Sequence, residues 1–562
     1  MTERPWLKSY EPQVPHTISY PDRPLDSNLV ESAQKYPDAT ATIYMGAKLT
    51  YAQLNKLVDR FAAALQGLGV KKGDRVAVYM ANCPQFIIAY YGALRSGAVV
   101  VPFNPLYAAP EVEHQLQDSG AETIVVMSRF YPIVKKVRGN TALKRVIVTN
   151  IKEYFPPVLK LLFTLAKEKH DGDRQDISGD ANTYWFQDLL AKAPEKPAAV
   201  PRLPSDRACL LYTGGTTGVP KGAELTHRNI MSNAVMCRHW LHDSQEAKEI
   251  VIAALPLYHS YGMTTCMNFT IYVAGAILLI PNPRDLKTLM ENISKHHPTL
   301  FPGVPTMYVA FNNFPDLAKY NVRSIRACIS GAAGLPVEVQ TKFQELTGAR
   351  LVEGYGLSEA SPVTHANPVY VGNKIGTIGV PWPDTDSKIM DLETGTKEMP
   401  LGESGELIVR GPQVMQGYWN MPKETAIALR DGWLYTGDIA RIDEDGYFQI
   451  VDRKKDMIIA GGFNIYPRDV EEVLYQHPKI REAVVAGIPD PYRGETVKAY
   501  CILKEGETLT QEEVIEFCRG KMAKYKIPTS VEFRGELPKT IVGKILRRIL
   551  VDEEKKKMEE KQ

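Results

Sequence analysis

Residues 72–127 alternate between strand-like and helix-like runs, and this alternation restricts the possible fold more than any other feature of the chain. The expected elements, strand and helix in turn, are 75–80, 84–95, 98–102, 111–118 and 122–127. Gly97 is suited to end the first helix, because glycine tolerates the left-handed conformation common there. A strand–helix–strand series places its strands parallel, so the sequence predicts a mostly parallel α/β sheet.

A similar order returns later in the chain. The expected elements are a strand at 251–255, a helix at 264–273 and a strand at 276–281. Both passages then break at a pair of prolines, Pro102 and Pro105 in the first and Pro281 and Pro283 in the second. We therefore predict two similar α/β subdomains packed side by side.

From about residue 375 the pattern changes to short strands and turns. A strand is expected at 405–410, and a hairpin joins 439–443 to 447–451 through a turn that ends in Gly446. These features predict a small β-barrel-like subdomain that completes a large N-terminal domain.

Five charged residues at 452–456 separate this subdomain from a new α/β pattern. A solvated turn is the simplest interpretation of such a run. Helices are expected at 469–474 and 511–519 and strands at 483–487 and 499–503. We place the N-terminal domain at 1–452, a hinge at 453–455 and a small α+β C-terminal domain at 456–562.

The loop at 212–222 carries the clearest chemical signal, since its eleven residues include four glycines, three threonines and one lysine. Backbone N–H groups, hydroxyls and a mobile positive charge can together hold a polyphosphate. The loop is not the common P-loop, which needs Gly-Lys followed by Ser or Thr, because Pro220 precedes Lys221 and Gly222 follows it. A strand leads in, and Thr226 can cap a following helix. A flexible surface loop is the alternative.

Bulk properties exclude several classes of protein. The net charge of +2 gives no general attraction to nucleic acid. The seven cysteines form no CxxC pair, which argues against a disulfide framework or a zinc site and favours a reducing cytoplasm. The first residues lack the apolar core of a signal peptide, and no apolar run approaches the length of a membrane span.

The segment 154–170 crowds five large apolar side chains beside three lysines. It could lie on an anionic membrane surface, such as the inner face of the cytoplasmic membrane. A helix packed on its own domain is the alternative interpretation, and the one we favour from sequence.

Seven motifs, read together in order, carry a family resemblance. They are residues 213–222, 256–262 (PLYHSYG), 330–334 (SGAAG), 353–359 (EGYGLSE), 435–438 (YTGD), 452–456 (DRKKD) and 538–544 (PKTIVGK). Over about residues 30–550 the chain resembles the adenylate-forming acyl-CoA synthetases, the superfamily that includes luciferases and peptide-synthetase adenylation domains. Residues 5–7, 352–365 and 493–499 are most similar to bacterial long-chain fatty acid–CoA ligases.

The resemblance implies a nucleotide site. The residues expected to hold ATP or AMP are Thr213, Gly214, Gly215, Thr216, Thr217, Gly218, Lys221, Gly331, Ala332, Ala333, Glu353, Gly354, Tyr355, Gly356, Ser358, Asp438, Arg453, Lys455 and Lys544. By the resemblance, Lys221 reaches the outer phosphates and Asp438 accepts the ribose hydroxyls with help from Arg453. Tyr355 lines the adenine slot, although core packing is the commoner role of a buried tyrosine.

A magnesium ion is implied as well, held by Glu359 and the hydroxyl of Thr213. Magnesium bridges phosphate oxygens with few protein ligands. A lone glutamate after a loop is more often a solvated carboxylate, so this role depends on the motif. The catalytic residues that the resemblance implies are Lys544, Lys221, Glu359 and Thr213.

The resemblance also implies a mobile C-terminal domain that swings about Lys455. In one pose Lys544 bridges the substrate carboxylate and the α-phosphate; taken alone, it reads as a surface lysine. In the other pose a tunnel for the pantetheine arm of CoA is expected at Gly461, Gly462, Phe463 and Asn464.

The acyl side of the site is expected at His259, Met263, Gly303 and Val304. His259 resembles a gate residue of relatives, although it could equally be a hydrogen-bonded turn residue. Met263 stands where some long-chain relatives place a tryptophan gate, so that gate cannot be carried over. Ser358 replaces a common threonine, and Ile459 replaces a nucleotide-contacting lysine.

The sequence thus predicts a ligase that converts ATP, a fatty acid and CoA into acyl-CoA, AMP and pyrophosphate through an acyl-adenylate, with Mg²⁺ as cofactor. Three alternatives stay open: a medium-chain or aryl carboxylate as substrate, transfer of the acyl group to a carrier protein, or nucleotide binding without turnover. We expect a monomer or homodimer in the cytoplasm.

Overall fold

The computed structural model describes residues 4–213, 220–460, 463–490, 492–539 and 545–559, with the backbone alone for Asn464 and Glu559. Within this part of the chain, no helix combines the length and the apolar character needed to cross a bilayer. All seven cysteines fall among the described residues, and each is buried and free.

The first α/β subdomain is built around a seven-stranded sheet with the order β7-β6-β5-β3-β4-β8-β9. Its pairs are parallel except for the final hairpin of β8 and β9, which confirms the predicted parallel sheet. The elements up to residue 213 are α1 (Ser27–Lys35), β1 (Thr40–Tyr44), β2 (Ala47–Thr50), α2 (Tyr51–Gly67), β3 (Arg75–Tyr79), α3 (Pro84–Ser96), β4 (Val99–Pro102), α4 (Ala109–Ser119), β5 (Thr123–Met127), α5 (Tyr131–Val137), β6 (Arg145–Thr149), α6 (Pro157–Ala166), β7 (Thr183–Trp185), α7 (Phe186–Lys192) and β8 (Arg207–Thr213).

The second α/β subdomain contains β10 and β11, which pair in parallel and join β1 and β2 in the order β10-β11-β1-β2. Single bridges through Leu300 extend this sheet to β12, followed by β13, β14 and β15. The elements from residue 221 to 366 are β9 (Lys221–Thr226), α8 (His227–Trp240), β10 (Ile250–Ala253), α9 (Phe269–Tyr272), β11 (Ala276–Leu279), α10 (Leu286–His296), α11 (Pro305–Asn312), β12 (Ala327–Ser330), α12 (Val337–Thr347), β13 (Arg350–Gly356) and β14 (Val363–Ala366).

Local signals explain several boundaries. Gly97 ends α3 at a φ of +85°, as predicted. The Thr226 side chain accepts the Asn229 N–H at 3.1 Å and caps α8, which confirms the expected cap. The helix expected at 264–273 differs in kind, because its first part is a π-helix over Gly262–Asn268 that runs into α9. Such π segments are rare and occur frequently at functional sites.

The third part of the N-terminal domain is an antiparallel sheet with the order β16-β17-β19-β18, in which β20 also pairs with β19. This confirms the predicted β-rich subdomain and its hairpin. The elements are β15 (Val380–Pro381), which pairs with β14, β16 (Asp386–Met390), β17 (Gly405–Arg410), α13 (Pro422–Ala428), β18 (Leu429–Arg430), β19 (Trp433–Ile442) and β20 (Phe448–Arg453).

The C-terminal domain has its own sheet, in the order β22-β21-β24-β23 with β25 parallel to β24. Strands β23 and β24 are longer than expected, because their polar ends continue the ladder beyond the apolar centres. The elements are β21 (Ile458–Ala460), β22 (Phe463–Ile465), α14 (Pro467–Tyr475), β23 (Ile480–Asp490), β24 (Gly494–Leu503), α15 (Gln511–Cys518), β25 (Ser530–Phe533) and α16 (Arg547–Glu559).

Candidate active site

The hairpin of β8 and β9 brings Thr213 opposite Lys221. The Thr213 hydroxyl donates to the carbonyl oxygen of Lys221 at 3.5 Å. The loop residues expected to cradle phosphates lie outside the described residues, so their role stays a prediction; they are Gly214, Gly215, Thr216, Thr217 and Gly218. The two ends of the loop, with one hydroxyl and one ammonium, are nevertheless fixed by the strand pairing.

The Lys221 ammonium is held by partners from the β-rich subdomain. It forms an ion pair with Glu424 and lies 5.3 Å from the centre of the Tyr418 ring. The Lys221 side chain is 16% exposed and that of Glu424 is 40% exposed, so the pair opens to water on the glutamate side. Neither Tyr418 nor Glu424 was predicted from sequence.

Glu359 lies in a short 3-10 helix, Ser358–Ala360, after β13. The Tyr418 hydroxyl donates to Glu359 Oε1 at 2.9 Å, and the Met415 N–H donates to the Glu359 carbonyl at 2.8 Å. Burial and the neighbouring Glu359 carboxylate raise the pKa of Tyr418, which keeps its hydroxyl protonated as a donor. Tyr418 therefore positions Glu359 while its ring faces Lys221. The only sequence signal for it is its place in a Gly-Tyr-Trp turn.

Tyr355 and Asp438 meet at the boundary of the second α/β subdomain and the β-rich subdomain. The Tyr355 hydroxyl donates to Asp438 Oδ2 at 2.5 Å, and Arg453 Nε lies 3.5 Å from Asp438 Oδ1. Asp438 and Arg453 are opposite each other on β19 and β20. The structure thus brings together the three side chains expected at adenosine, and Tyr355 has a polar partner rather than serving only as core.

Close backbone approach surrounds the expected adenine slot. A Cβ atom on Gly356 would lie 2.2 Å from the Pro362 carbonyl oxygen, and one on Gly354 would lie 2.8 Å from Ile329 Cγ2. A Cβ atom on Gly331 would lie 3.0 Å from Cε1 of the Tyr261 ring. Ala332, at a φ of +70°, and Ala333 are exposed, so the 331–333 turn presents mainly backbone.

Glu353 is 7% exposed and accepts the Leu335 N–H at 3.1 Å. Burial raises the pKa of its carboxyl to about 7, although the guanidinium of Arg468 acts in the opposite direction. Arg468 belongs to α14, and its Nη2 would lie 2.6 Å from a Cβ atom on Gly334. The C-terminal domain therefore contacts the N-terminal domain next to the expected nucleotide site.

The PLYHSYG motif lies between the residues expected to hold the nucleotide and those expected on the acyl side. Ser260 Oγ lies 3.2 Å from Ser358 Oγ, and the Tyr261 hydroxyl donates to the Ile329 carbonyl at 2.6 Å. His259 is half-buried, and its Nδ1 accepts the Tyr261 N–H at 3.3 Å. This bond agrees with the turn interpretation of His259, and its role as a gate stays a prediction.

Met263, Gly303 and Val304 are all buried. Near them is an apolar cavity of about 30 Å³, between α8, the π-helix and β12. Its lining includes Cys237, Leu241, Thr265, Phe269, Pro302, Ile329 and Trp382. A cavity of this size holds one or two water molecules, so an acyl chain would require the side chains to move apart.

The predicted hinge begins at the last residue of β20, because Arg453 still pairs with Asp438 of β19. Asp452 is 4% exposed and accepts the N–H groups of Arg453 at 2.7 Å and Arg468 at 2.8 Å. Burial raises the pKa of Asp452 to about 6. Lys455 is exposed. Asp452 thus connects the last strand of the N-terminal domain to α14 of the C-terminal domain.

Several predicted residues of the C-terminal domain cannot be placed. Lys544, Gly461 and Gly462 lie outside the described residues, and for Asn464 only the backbone is described. Phe463 is 52% exposed and stacks on Tyr525 with ring centres 4.5 Å apart. The predicted CoA tunnel and the bridging lysine therefore stay predictions.

The donor set suits magnesium better than a transition metal. Glu359 offers carboxylate oxygens and Thr213 a hydroxyl, the hard oxygen ligands that magnesium prefers, with phosphates expected to complete its shell. Among the described residues, no group of three or more histidine, cysteine or acidic side chains is arranged to hold a metal ion.

Two family models match the chain. The AMP-binding enzyme model covers residues 29–419, and the model of the AMP-binding enzyme C-terminal domain covers residues 469–544. A long-chain-fatty-acid–CoA ligase of Bacillus subtilis (strain 168) is 48% identical over 555 residues, 98% of each chain. One of Escherichia coli O6:H1 is 42% identical over 575 residues, 99% of each chain.

The fold is also similar to solved structures. The anthranilate CoA ligase AuaEII, in complex with anthranoyl-AMP, has a TM-score of 0.82 at 27% identity. The match covers 95% of this chain and 97% of that one, so it includes both the large N-terminal and the smaller C-terminal domain.

Proposed function

The chain belongs to the AMP-binding enzyme family, and on that basis we propose that it is a long-chain fatty acid–CoA ligase, an AMP-forming acid–thiol ligase. The observation that carries this proposal is the full-length similarity to ligases of that name. The reaction joins a fatty acid to CoA and splits ATP into AMP and pyrophosphate.

The chemistry has two steps. A carboxylate oxygen attacks the α-phosphorus of ATP, and the bond from that phosphorus to the oxygen bridging the α- and β-phosphates breaks. Pyrophosphate departs, and an acyl-adenylate remains. The CoA thiol then releases its proton to water, its sulfur attacks the acyl carbon, and the bond from that carbon to the phosphate oxygen breaks, so that AMP leaves and the thioester is formed. The first step brings an anion towards a polyanion, so fixed positive charge and oriented donors must offset the repulsion.

The described side chains divide this work. Lys221 supplies an ammonium for the outer phosphates at the end of the β8–β9 hairpin. Asp438, with Tyr355 and Arg453 as neighbours, offers carboxylate oxygens to the ribose hydroxyls. The turn at Gly331–Ala333 presents mainly backbone to a flat base, and the closely packed Gly354 and Gly356 hold Tyr355 between them.

Magnesium, when bound by Glu359 and Thr213, would neutralise phosphate charge. The protein's own part is to hold these ligands in place. Tyr418 fixes Glu359 Oε1 at 2.9 Å, and the strand pairing fixes Thr213.

We assign the hinge to residues 453–455, between an N-terminal domain at 1–452 and a C-terminal domain at 456–562. The swing of the C-terminal domain would deliver Lys544 for adenylation and then the segment from Gly461 to Asn464 for CoA. The family models, which end at residue 419 and resume at 469, leave the hinge between them. A domain exchange of this kind keeps water away from a reactive adenylate.

The acyl chain would enter past His259 and Met263 and extend along Gly303 and Val304 into the apolar cavity near Cys237 and Trp382. Buried apolar side chains line this path, so they favour an acid with an aliphatic tail over an acid whose tail carries a charge. Medium-chain or aryl acids, or transfer to a carrier protein, are the alternatives, and the similarity to an anthranilate ligase keeps the aryl class open.

Measurement of ATP- and CoA-dependent AMP release across C2 to C20 acids, benzoate and coumarate tests this function. We expect the highest kcat/KM on long-chain acids. A maximum on C4 or on aryl acids would contradict the substrate class, and no AMP release with any acid would contradict the ligase itself. An apolar pocket discriminates by about 1–3 kcal/mol per methylene, roughly 10- to 200-fold, which is the largest difference in kcat/KM expected between neighbouring chain lengths.

We further propose that the enzyme takes its substrate at an anionic membrane surface through α6. The exposed fractions are 71% for Val158, 60% for Leu161, 57% for Leu162 and 76% for Leu165. Their i, i+3, i+4 and i+7 spacing places them on one helix face. This differs from the packed helix that the sequence favoured. Fatty acids themselves partition into bilayers, so substrate and surface would coincide.

The rest of the segment supports docking. Phe163 packs on Phe155 with ring centres 5.6 Å apart, and Lys152, before the helix, pairs with the buried Glu168, after it, at 2.6 Å, so the C-terminal half of the helix is anchored. The exposed Lys167 and Lys169 follow the helix end. Apolar insertion beside such lysines fits anionic headgroups. We place the enzyme, as a monomer or homodimer, at the cytoplasmic face of the membrane.

Vesicle flotation tests the surface. The double variant Leu161→Asp/Leu165→Asp should lose most of its flotation with phosphatidylglycerol vesicles, while AMP release from a water-soluble medium-chain acid persists. The matched control Leu401→Asp/Ile427→Asp changes two residues that are also exposed, by 54% and 58%, on another subdomain. Equal flotation of the two variants would overturn the membrane proposal.

A further inference from the structure

The ammonium of Lys221 has a carboxylate partner from its own chain. Glu424 lies in the first turn of α13, 203 residues further along, and its Oε2 pairs with Lys221 Nζ. The lysine side chain is largely buried, at 16% exposed. An ammonium removed from water is costly to leave without an anion, so this site demands a negative partner.

A phosphate oxygen of ATP needs the same ammonium. Lys221 lies opposite Thr213 at the end of the hairpin, and the Glu424 carboxylate occupies the position beside its ammonium where a phosphate oxygen would bind. A phosphate that approached Lys221 would also be repelled by the negative charge of Glu424. Phosphate binding therefore requires the glutamate to give way.

This exchange of partners requires only the Glu424 side chain to move, because α13 itself is held in place. Thr425 Oγ1 accepts the Tyr418 N–H at 2.9 Å and donates to the Met421 carbonyl at 2.9 Å, which fixes α13 against the loop that carries Tyr418. Tyr418 in turn holds Glu359. The Glu424 side chain, at 40% exposed, can rotate towards water while these backbone contacts stay in place.

We propose that Glu424 is a positioning residue that competes with the outer phosphates for Lys221. It holds the ammonium until ATP displaces it, and it takes the ammonium back from pyrophosphate, which favours release of that product. The proposal rests on the assignment of Lys221 to the phosphates, and it deepens that assignment by naming the group that sets phosphate affinity.

The variant Glu424→Gln tests this competition. A partly exposed ion pair is worth a fewfold in an equilibrium constant, so Mg·ATP and pyrophosphate should each bind about two- to fivefold more tightly to the full-length variant. Product inhibition by pyrophosphate should strengthen by the same factor, while KM for the fatty acid and for CoA stays unchanged. Calorimetry and inhibition kinetics measure these values, and Glu403→Gln, an exposed glutamate of the same subdomain, is the matched control.

A second background separates the possible failures. In Lys221→Gln, ATP should bind more weakly, and adding Glu424→Gln should change nothing further, whereas a merely structural Glu424 would act in both backgrounds. Unchanged ATP and pyrophosphate affinity in Glu424→Gln, with weaker binding in Lys221→Gln, would overturn the competition alone. Unchanged affinity in Lys221→Gln would overturn the phosphate role of Lys221 and this proposal with it. If the unmodified enzyme released no AMP with any acid, the proposed ligase reaction would be contradicted, while the competition measured by binding would stand.

Discussion

Single side chains in the site depend on partners that are far away in the sequence. Tyr355 donates to Asp438 across 83 positions, and Tyr418 donates to Glu359 across 59. In each pair a neutral hydroxyl donor meets a carboxylate, a combination stronger than a hydrogen bond between two neutral groups. The carboxylates are thereby held in fixed directions at the edge of the site.

Glu353 should make stability depend on pH. Its carboxyl has a pKa of about 7 in the folded protein against 4.5 for an ordinary glutamate. The folded state therefore binds more protons than the unfolded state between these values, and stability falls as pH rises through that window. We expect Glu353→Gln to be more stable than the parent by about 1–3 kcal/mol at pH 8, with the difference shrinking towards pH 5.

Thermal unfolding at several pH values measures this difference. Glutamine keeps an oxygen for the Leu335 N–H, so the variant removes the charge and keeps the hydrogen bond. The exposed Glu403→Gln should show no such trend. A Glu353→Gln difference that is the same at pH 5 and pH 8 would contradict the assignment.

The junction of β13 with the 3-10 helix that carries Glu359 depends on close backbone packing. A Cβ atom on Gly356 would lie 2.2 Å from the Pro362 carbonyl oxygen, a separation that real Cβ atoms do not show. The neighbouring Leu357 N–H donates to the same oxygen at 3.0 Å. The strand end and the turn after it therefore form one rigid corner between Tyr355 and Glu359.

Gly356→Ala should open this corner. Overpacking of this kind costs about 1–3 kcal/mol, and the shift should also lower kcat/KM because Tyr355 and Glu359 flank the position. Denaturant unfolding and AMP release measure the two effects. Gly139→Ala is the control, since its Cβ atom would meet nothing within 4 Å. Equal behaviour of the two variants would show that the corner has room to relax.

The N-terminal and C-terminal domains meet through Asp452, Arg468 and Glu353, next to the residues proposed to hold the nucleotide. A movement of the C-terminal domain must therefore rearrange contacts that include two carboxyls with raised pKa values. The proposed swing of the C-terminal domain would therefore break contacts at both carboxyls.

We expect adenylation and thioester formation to be lost separately when Lys544 or the hinge residue Lys455 is changed. Lys544→Ala should lose pyrophosphate exchange and still convert supplied acyl-AMP with CoA. Lys455→Pro should do the reverse, because proline fixes φ and restricts rotation at the hinge. The exposed Lys555→Ala should keep both activities. Equal loss of both steps in both variants would contradict the two-pose account.

Much of the fold could be predicted from sequence because the signals are local. Alternating strand and helix patterns, the Thr226 cap and the Gly97 stop each act over a few residues and are all present in the structure. The enzyme class was predicted as well, because seven motifs in order resemble the adenylate-forming family, and the family models match the chain.

The partners of these groups could not be predicted. The pairing of Lys221 with Glu424, the hold of Tyr418 on Glu359 and the contact of Arg468 beside Glu353 join segments that meet only after long loops close. The exposure of α6 was not predicted either, since its apolar pattern favoured a packed helix and the structure leaves that face exposed. The sequence by itself determined the local elements and the chemical types, because these depend on neighbours in the chain. Tertiary structure decided which charges meet and which apolar face stays uncovered, because these depend on packing between distant segments.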